Sequence, residues 1–75
     1  MGAGIPVLTA AEIERILFRL EFVGRPGKGA HRFYRHTDGR TTTVPFHAGR
    51  DIGPVLLRKI CRDIGVAVEA FLEHR

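Results

Sequence analysis

The stretch "AHRFYRHTDGRTTTVPF", residues 30–46, decides the fold of this chain. Aromatic and β-branched residues are frequent on both sides of its middle, which favours two strands over 30–36 and 40–46. The Asp38-Gly39 pair between them is a hairpin signal, because glycine accepts a positive φ. The stretch therefore predicts an antiparallel hairpin that places position 31 opposite roughly 45–46.

A helix is predicted before the hairpin. Thr9 and Glu12 have the spacing of a capping box. The apolar residues that follow recur at i, i+3, i+4 and i+7 and form one stripe: Ile13, Ile16, Leu17 and Leu20. A helix over about 10–20 follows from these signals. Residues 22–29, "FVGRPGKG", predict an edge strand or a loop, because Pro26 has no N–H for a central strand.

After the hairpin, "HAGRD" at 47–51 is predicted to be a loop. A second helix should begin at Pro54, which favours a first turn, and stop at Gly65. Its apolar stripe is Leu57, Ile60, Cys61 and Ile64. A short third helix is expected over 68–74. The order α-β-β-β-α-α predicts the α+β class, with helices on one face of a small three-stranded antiparallel sheet.

The length and composition limit what the chain can do. Seventy-five residues predict one domain, 1–75, with 1–6 as a loose tail. A site on so small a core should be shallow. Cys61 is the sole cysteine, so no internal disulfide can form. The sequence has no pattern of a signal peptide or a membrane span, which favours a soluble cytoplasmic protein without membrane contact.

The positive charge is concentrated in the middle of the sequence. Residues 22–62 contain nine cations against two acids, a net charge of +7, whereas 1–21 and 63–75 are mildly acidic. Seven of the nine are arginines, which suit bidentate contacts with phosphate. A polyanion-binding surface is the favoured interpretation. A basic surface without a partner remains the alternative.

The histidines suggest acid–base chemistry on RNA. His31 follows Lys28 and Gly29 at the start of a strand, and histidine has a reference pKa of about 6.5 that suits proton transfer. An ordinary histidine at a sheet end is the competing interpretation. His47 is a candidate assistant or a loop cap, since a one-residue change of register decides its face. His36 should be a turn residue, and the spacing of the histidines does not suggest a metal site.

The chain resembles the HicA family of small toxins from prokaryotic toxin–antitoxin pairs. The resemblance runs from about 6 to 72 and rests on motifs in a shared order. They are Lys28-Gly29-Ala30-His31, Phe33-Tyr34-Arg35-His36, Asp38-Gly39-Arg40, Thr43-Val44-Pro45, His47, Gly49-Arg50-Asp51 and Ile52-Gly53-Pro54. Two positions depart from the family pattern: Ala30 stands where it has serine, and Arg32 stands where it has a second histidine.

The resemblance implies a fold like the double-stranded-RNA-binding domain. It also implies an endoribonuclease that cleaves mRNA and blocks translation, with His31 as the catalytic histidine and without a cofactor. A HicB-type antitoxin is the implied protein partner, and translating ribosomes are a further candidate. The residues expected to hold RNA are Lys28, Gly29, Arg32, Arg35, Arg40, Arg58, Lys59 and Arg62. A non-catalytic RNA-binding module and a domain that docks an acidic protein remain alternatives.

Overall fold

A computed structural model describes residues 4–27, 29–46 and 51–75 of the chain. Its secondary-structure elements, in chain order, are β1 (Leu8–Thr9), α1 (Ala10–Arg19), β2 (Val23–Pro26), β3 (His31–Arg35), β4 (Thr41–Pro45), β5 (Asp51–Ile52), α2 (Pro54–Ile64) and α3 (Val68–Leu72). The order α-β-β-β-α with an antiparallel three-stranded sheet confirms the predicted α+β class.

The hairpin forms as its sequence predicts. β3 pairs with β4 from His31 opposite Pro45 to Arg35 opposite Thr41. Gly39 has a φ of 100° in the connecting turn, a value that favours glycine. β2 pairs with the other side of β3, so β3 is the central strand and β2 is an edge strand, as Pro26 predicted.

Both long helices begin and end close to the predicted positions. Thr9 and Glu12 form the complete capping box of α1, whose last residue is Arg19 rather than Leu20. The hydrogen bond from the Thr9 N–H lowers the pKa of the Glu12 carboxyl. α2 begins at Pro54 and is capped by Gly65. The third helix, α3, ends at Leu72, two residues before the predicted end.

The helices pack on one face of the sheet and form the core with it. The sheet contributes Tyr34 and Val44 to this core, and the helices contribute Ile13, Ile16, Leu17, Leu57, Ile60, Ile64 and Phe71. Cys61 is also buried, as its place on the apolar stripe predicts. Burial raises the pKa of its thiol to about 11, so the thiolate that would act as a nucleophile is disfavoured.

One pairing was not predicted from the sequence. β1 and β5 form a separate two-stranded ladder in which Leu8 lies opposite Ile52, and both side chains are buried. The prediction of a loop over 47–51 is wrong at Asp51, which belongs to β5, while 47–50 lie outside the described residues. Residues 1–3 of the predicted tail also lie outside them, and Ile5 packs against the core.

Candidate active site

The face of the sheet that is turned away from the helices displays a row of side chains from the central strand. His31, Phe33 and Arg35 lie on this face because alternate residues of a strand point to the same side. All three are exposed, whereas Tyr34 between them is fully buried on the helix side. We call this surface the outer face. It brings together the candidate catalytic histidine, an aromatic ring and a guanidinium.

The backbone around His31 is fixed from the side of β2. The Gly27 N–H donates to the His31 carbonyl oxygen at 2.9 Å. A Cβ at position 27 would lie 2.8 Å from that oxygen, so the approach requires glycine. On the β4 side, His31 lies opposite Pro45, and the Phe46 N–H donates to the Ala30 carbonyl oxygen at 2.6 Å. His31 is therefore anchored by both neighbouring strands.

Two of the residues predicted to act beside His31 fall outside the described part of the chain: Lys28 and His47. Gly29 is described and exposed, with a φ of 60° in the turn that leads into β3. Arg35 lies on the outer face at the other end of the strand. Phe33 is exposed and its neighbour Tyr34 is buried, so the two rings point to opposite faces of the sheet, as strand alternation requires.

Arg32, which was predicted to hold RNA beside His31, lies on the opposite face. Its Nη1 is 3.1 Å from Oε2 of Glu14 on α1, and its guanidinium lies 4.0 Å from the centre of the Phe46 ring. The Tyr34 hydroxyl donates to the same Glu14 oxygen at 2.6 Å. Burial and this carboxylate raise the pKa of Tyr34 above its usual range. These contacts join β3 to α1.

Arg40, which was also predicted to hold RNA, is bound to protein groups, as Arg32 is. Its Nε is 2.8 Å from the Asp38 carboxylate, and its Nη1 donates to the Ile64 carbonyl oxygen at the end of α2. The guanidinium also lies 5.3 Å from the centre of the Phe22 ring. Hydrogen bonds from the Arg40 backbone and side chain lower the pKa of Asp38. Arg40 thus joins the hairpin turn to the helix layer.

The three basic residues of α2 are exposed but lie across the sheet from His31. They are Arg58, Lys59 and Arg62. α2 packs on the buried side of β4, where Asp63 accepts hydrogen bonds from Thr42 at 3.0 Å and from Lys59 at 2.9 Å. These bonds lower the pKa of Asp63. The structure does not bring this group of cations to the outer face.

The two other histidines in the described part of the chain contact protein groups. His36 follows β3 in the turn, as predicted, with its ring 5.1 Å from that of Phe22 and its Nδ1 accepting from the Asp38 N–H. His74 Nδ1 lies 2.9 Å from the Ala70 carbonyl oxygen. Within 4–27, 29–46 and 51–75, no three histidine, cysteine or acidic side chains are grouped as metal ligands.

Sequence reasoning missed one cation of the outer face. Arg25 of β2 lies directly opposite Phe33, so its side chain is on the same side of the sheet. Together with Val23, Arg35, His36 and Thr37 it lines an open depression of about 340 Å³. The alternation of side chains along a strand would have indicated Arg25 if residues 23–26 had been assigned to a strand. The sequence predicts only an edge strand or a loop for this segment.

The sequence of the chain matches a known protein family. The family is described as the HicA toxin of bacterial toxin–antitoxin systems, and the match covers residues 10–66, from the start of α1 to just beyond α2. No curated protein matches the chain. No helix in the described part of the chain has the length and apolar character needed to cross a membrane. The chain belongs to the HicA toxin family and is the toxin of a toxin–antitoxin pair, with a cognate antitoxin as its partner.

Proposed function

We propose that this toxin is an endoribonuclease that cuts mRNA and so blocks translation, with His31 as its catalytic residue. The observation that supports the proposal best is the position of His31. It is exposed at the start of the central strand, on the face that also displays Phe33 and Arg35. It lies within the segment that matches the toxin family. A rigid strand is a suitable support for a residue that must meet a reacting atom closely.

The reaction can use a nucleophile that the RNA itself supplies. The 2′-hydroxyl oxygen attacks the adjacent phosphorus, the bond to the 5′ oxygen breaks, and the products are a 2′,3′-cyclic phosphate and a 5′-hydroxyl. A base must take the 2′ proton, and an acid must protonate the leaving oxygen. Neutral imidazole can perform the first step and imidazolium the second, so His31 suits either. Because the nucleophile belongs to the substrate, this route requires no metal-bound water.

The charge that develops on the phosphate needs nearby donors. We assign this part to the turn before β3, where Gly29 leaves room for a phosphate near the backbone and Lys28 precedes it in sequence. Arg35 is exposed at the other end of the strand and suits an RNA phosphate farther from the reacting one. Arg32 and Arg40 are less suited, because their guanidinium groups already bond to Glu14 and Asp38. Arg58, Lys59 and Arg62 would contact only an RNA that passes around the sheet.

The proposal extends to the partners and the compartment. A HicB-type antitoxin that covers the outer face would neutralise the toxin by burying His31 and Arg35. Such an antitoxin should present acidic side chains, associate fastest at low salt and exclude RNA. The target is cytoplasmic mRNA, free or on translating ribosomes. The remaining alternative is a non-catalytic RNA-binding module of the same fold, which the replacement of the family serine by Ala30 keeps open.

End-labelled RNA incubated with the purified protein separates these functions. Shortened products that persist in EDTA identify a metal-independent nuclease, and a shifted but intact band identifies a binding module. One matched substrate tests the chemistry: a 2′-deoxy nucleotide placed at the cut site should abolish cleavage there while other sites are still cut. Cleavage that continues at the deoxy position would contradict attack by the 2′-hydroxyl.

A further inference from the structure

An open basic depression lies on the outer face, at the end that is farthest from His31. Arg25 of β2 and Arg35 of β3 line it, together with Val23, His36 and Thr37. Val23 is directly opposite Arg35, and Arg25 is directly opposite Phe33, so the two arginines are diagonal neighbours on one face. Side chains as long as arginine can converge on one group from such positions.

The electrostatics of this depression favour an anion. Arg25 and Arg35 are both exposed, and within the described part of the chain neither of them forms an ion pair. The acid nearest in sequence is Asp38, which lies 3.1 Å from His36 Nδ1, but its carboxylate is also bound by Arg40 at 2.8 Å. Two planar guanidinium groups without a carboxylate partner suit a phosphate.

The distance from His31 relates this depression to the proposed cleavage site. Arg35 is four residues beyond His31 on the same strand, which is about 13 Å at the usual rise per residue. Phe33 lies midway between them on the same face and is 40% exposed. Arg25 is beside it on one neighbouring strand and Thr43 on the other. Along the outer face, the proton-transfer group His31 is therefore followed by the aromatic ring of Phe33 and then by the anion site at Arg35.

We propose that Arg25 and Arg35 form a second phosphate subsite, which holds the backbone of the RNA strand cut at His31 while a base stacks on Phe33. This inference rests on the proposed function and adds the path of the substrate. The ligand is an unpaired RNA segment, because only an unstacked base can lie against an aromatic ring on a sheet. A duplex is recognised by its shape and offers no free base face for Phe33.

Binding to the non-cleaving His31→Ala protein tests the path. Single-stranded oligonucleotides of increasing length should show a step in affinity once they reach from His31 to the subsite, and a duplex of the same sequence should bind more weakly. Replacing both arginines, R25Q with R35Q, should remove the step. The same change should flatten the dependence of affinity on salt by roughly 0.7–1.4 log units per log unit of salt, as expected for one or two fewer phosphate contacts.

Three further variants test the stacking and the specificity of the charge change. Phe33→Leu should weaken binding by at most roughly 5- to 150-fold, the range expected when the aromatic partner of one stacked base is lost, while Phe33→Tyr should retain the affinity. Arg15→Gln, which removes one exposed cation from α1 in the helix layer, is the matched control and should leave the affinity and the salt dependence unchanged.

The outcomes separate this inference from the proposed function. If the wild type cuts RNA but R25Q with R35Q leaves the length step and the salt dependence intact, the subsite is wrong and the nuclease stands. If the wild type cuts nothing and the step is present, the nuclease is wrong and the RNA path stands. The subsite is also overturned if the double variant loses only its affinity for the antitoxin, or if inorganic phosphate binds there without competing with RNA.

Discussion

Adjacent residues of β3 belong to different environments. His31 is exposed on the outer face, whereas the next side chain, Arg32, extends toward α1 and contacts Glu14 and Phe46. The position where the family has a second histidine is thus directed away from the proposed cleavage site. In this chain it joins the sheet to a helix instead of holding the substrate.

The same cluster makes a prediction about stability. Tyr34→Phe removes the hydroxyl that donates to Glu14 at 2.6 Å and keeps the buried ring. We expect the free energy of unfolding in urea to fall by about 1.5–3 kcal/mol, the usual contribution of a hydrogen bond to a charged group. RNA cleavage at low temperature should be unchanged, because the hydroxyl is on the other side of the sheet from His31. Lost cleavage in a fully folded variant would contradict this separation.

Strand alternation could be read from the sequence, but the partners of the inward-facing polar groups could not. Residues 30–46 predicted the hairpin and its register to within one residue, because these follow from a period of two and one turn. The contact between Arg32 and Glu14 joins residues 18 positions apart. It depends on how α1 crosses the sheet, which no local pattern specifies.

At the scale of elements, the close approach of β2 to the start of β3 positions His31. Gly27→Ala would place a methyl group 2.8 Å from the His31 carbonyl oxygen, and this backbone atom must move to admit it. We therefore predict a fall in the cleavage rate that exceeds any loss of RNA affinity, measured as kcat and KM separately. The displacement acts on the reacting group rather than on the phosphate contacts.

Gly4→Ala is the matched control for that change. A Cβ at position 4 would meet no atom within 4 Å, so the same substitution should leave cleavage unchanged. An unaltered kcat in the Gly27→Ala protein, with its fold intact by circular dichroism, would show that the contact between β2 and β3 does not position His31.

The elements differ in how well the sequence predicts them. α1 and α2 follow from a capping box, a first-turn proline and apolar stripes with the helical period. The β1–β5 ladder joins only two residues from each segment, Leu8 with Ile52 and Thr9 with Asp51. Two residues cannot display a period, and the segments are far apart in sequence. This pairing can be identified only from the three-dimensional structure.

At the scale of the whole molecule, carboxylates that accept hydrogen bonds in the folded state make the stability of the protein depend on pH in acid. Glu12, Asp38 and Asp63 each have a lowered pKa in the folded protein. A carboxyl with a lowered folded pKa contributes stability that is complete above its unfolded value and is lost as the pH falls through the folded value. We predict that the urea midpoint is constant near neutrality and falls below about pH 4.

Paired variants separate these carboxylates from general charge repulsion. Asp63→Asn should lower the midpoint at neutral pH and reduce its fall in acid, because that carboxylate accepts from Thr42 and Lys59. Glu21→Gln, at an exposed turn residue, should keep the full acid dependence. Equal acid dependence in the wild type and the Asp63→Asn protein would indicate that repulsion among the twelve lysines and arginines is responsible instead.

The most direct measurement of the central claim is the single-turnover cleavage rate of His31→Ala beside that of His74→Ala. Loss of a general acid or base should lower the rate by roughly 10²–10⁴-fold, while RNA affinity changes little because the phosphate contacts remain. The His74→Ala protein should cleave like the wild type, because in the wild type the His74 ring contacts the carbonyl oxygen of Ala70 on α3 and takes no part in the outer face. A His31→Ala protein that cuts RNA at the wild-type rate would contradict the assignment of His31 as the catalytic residue.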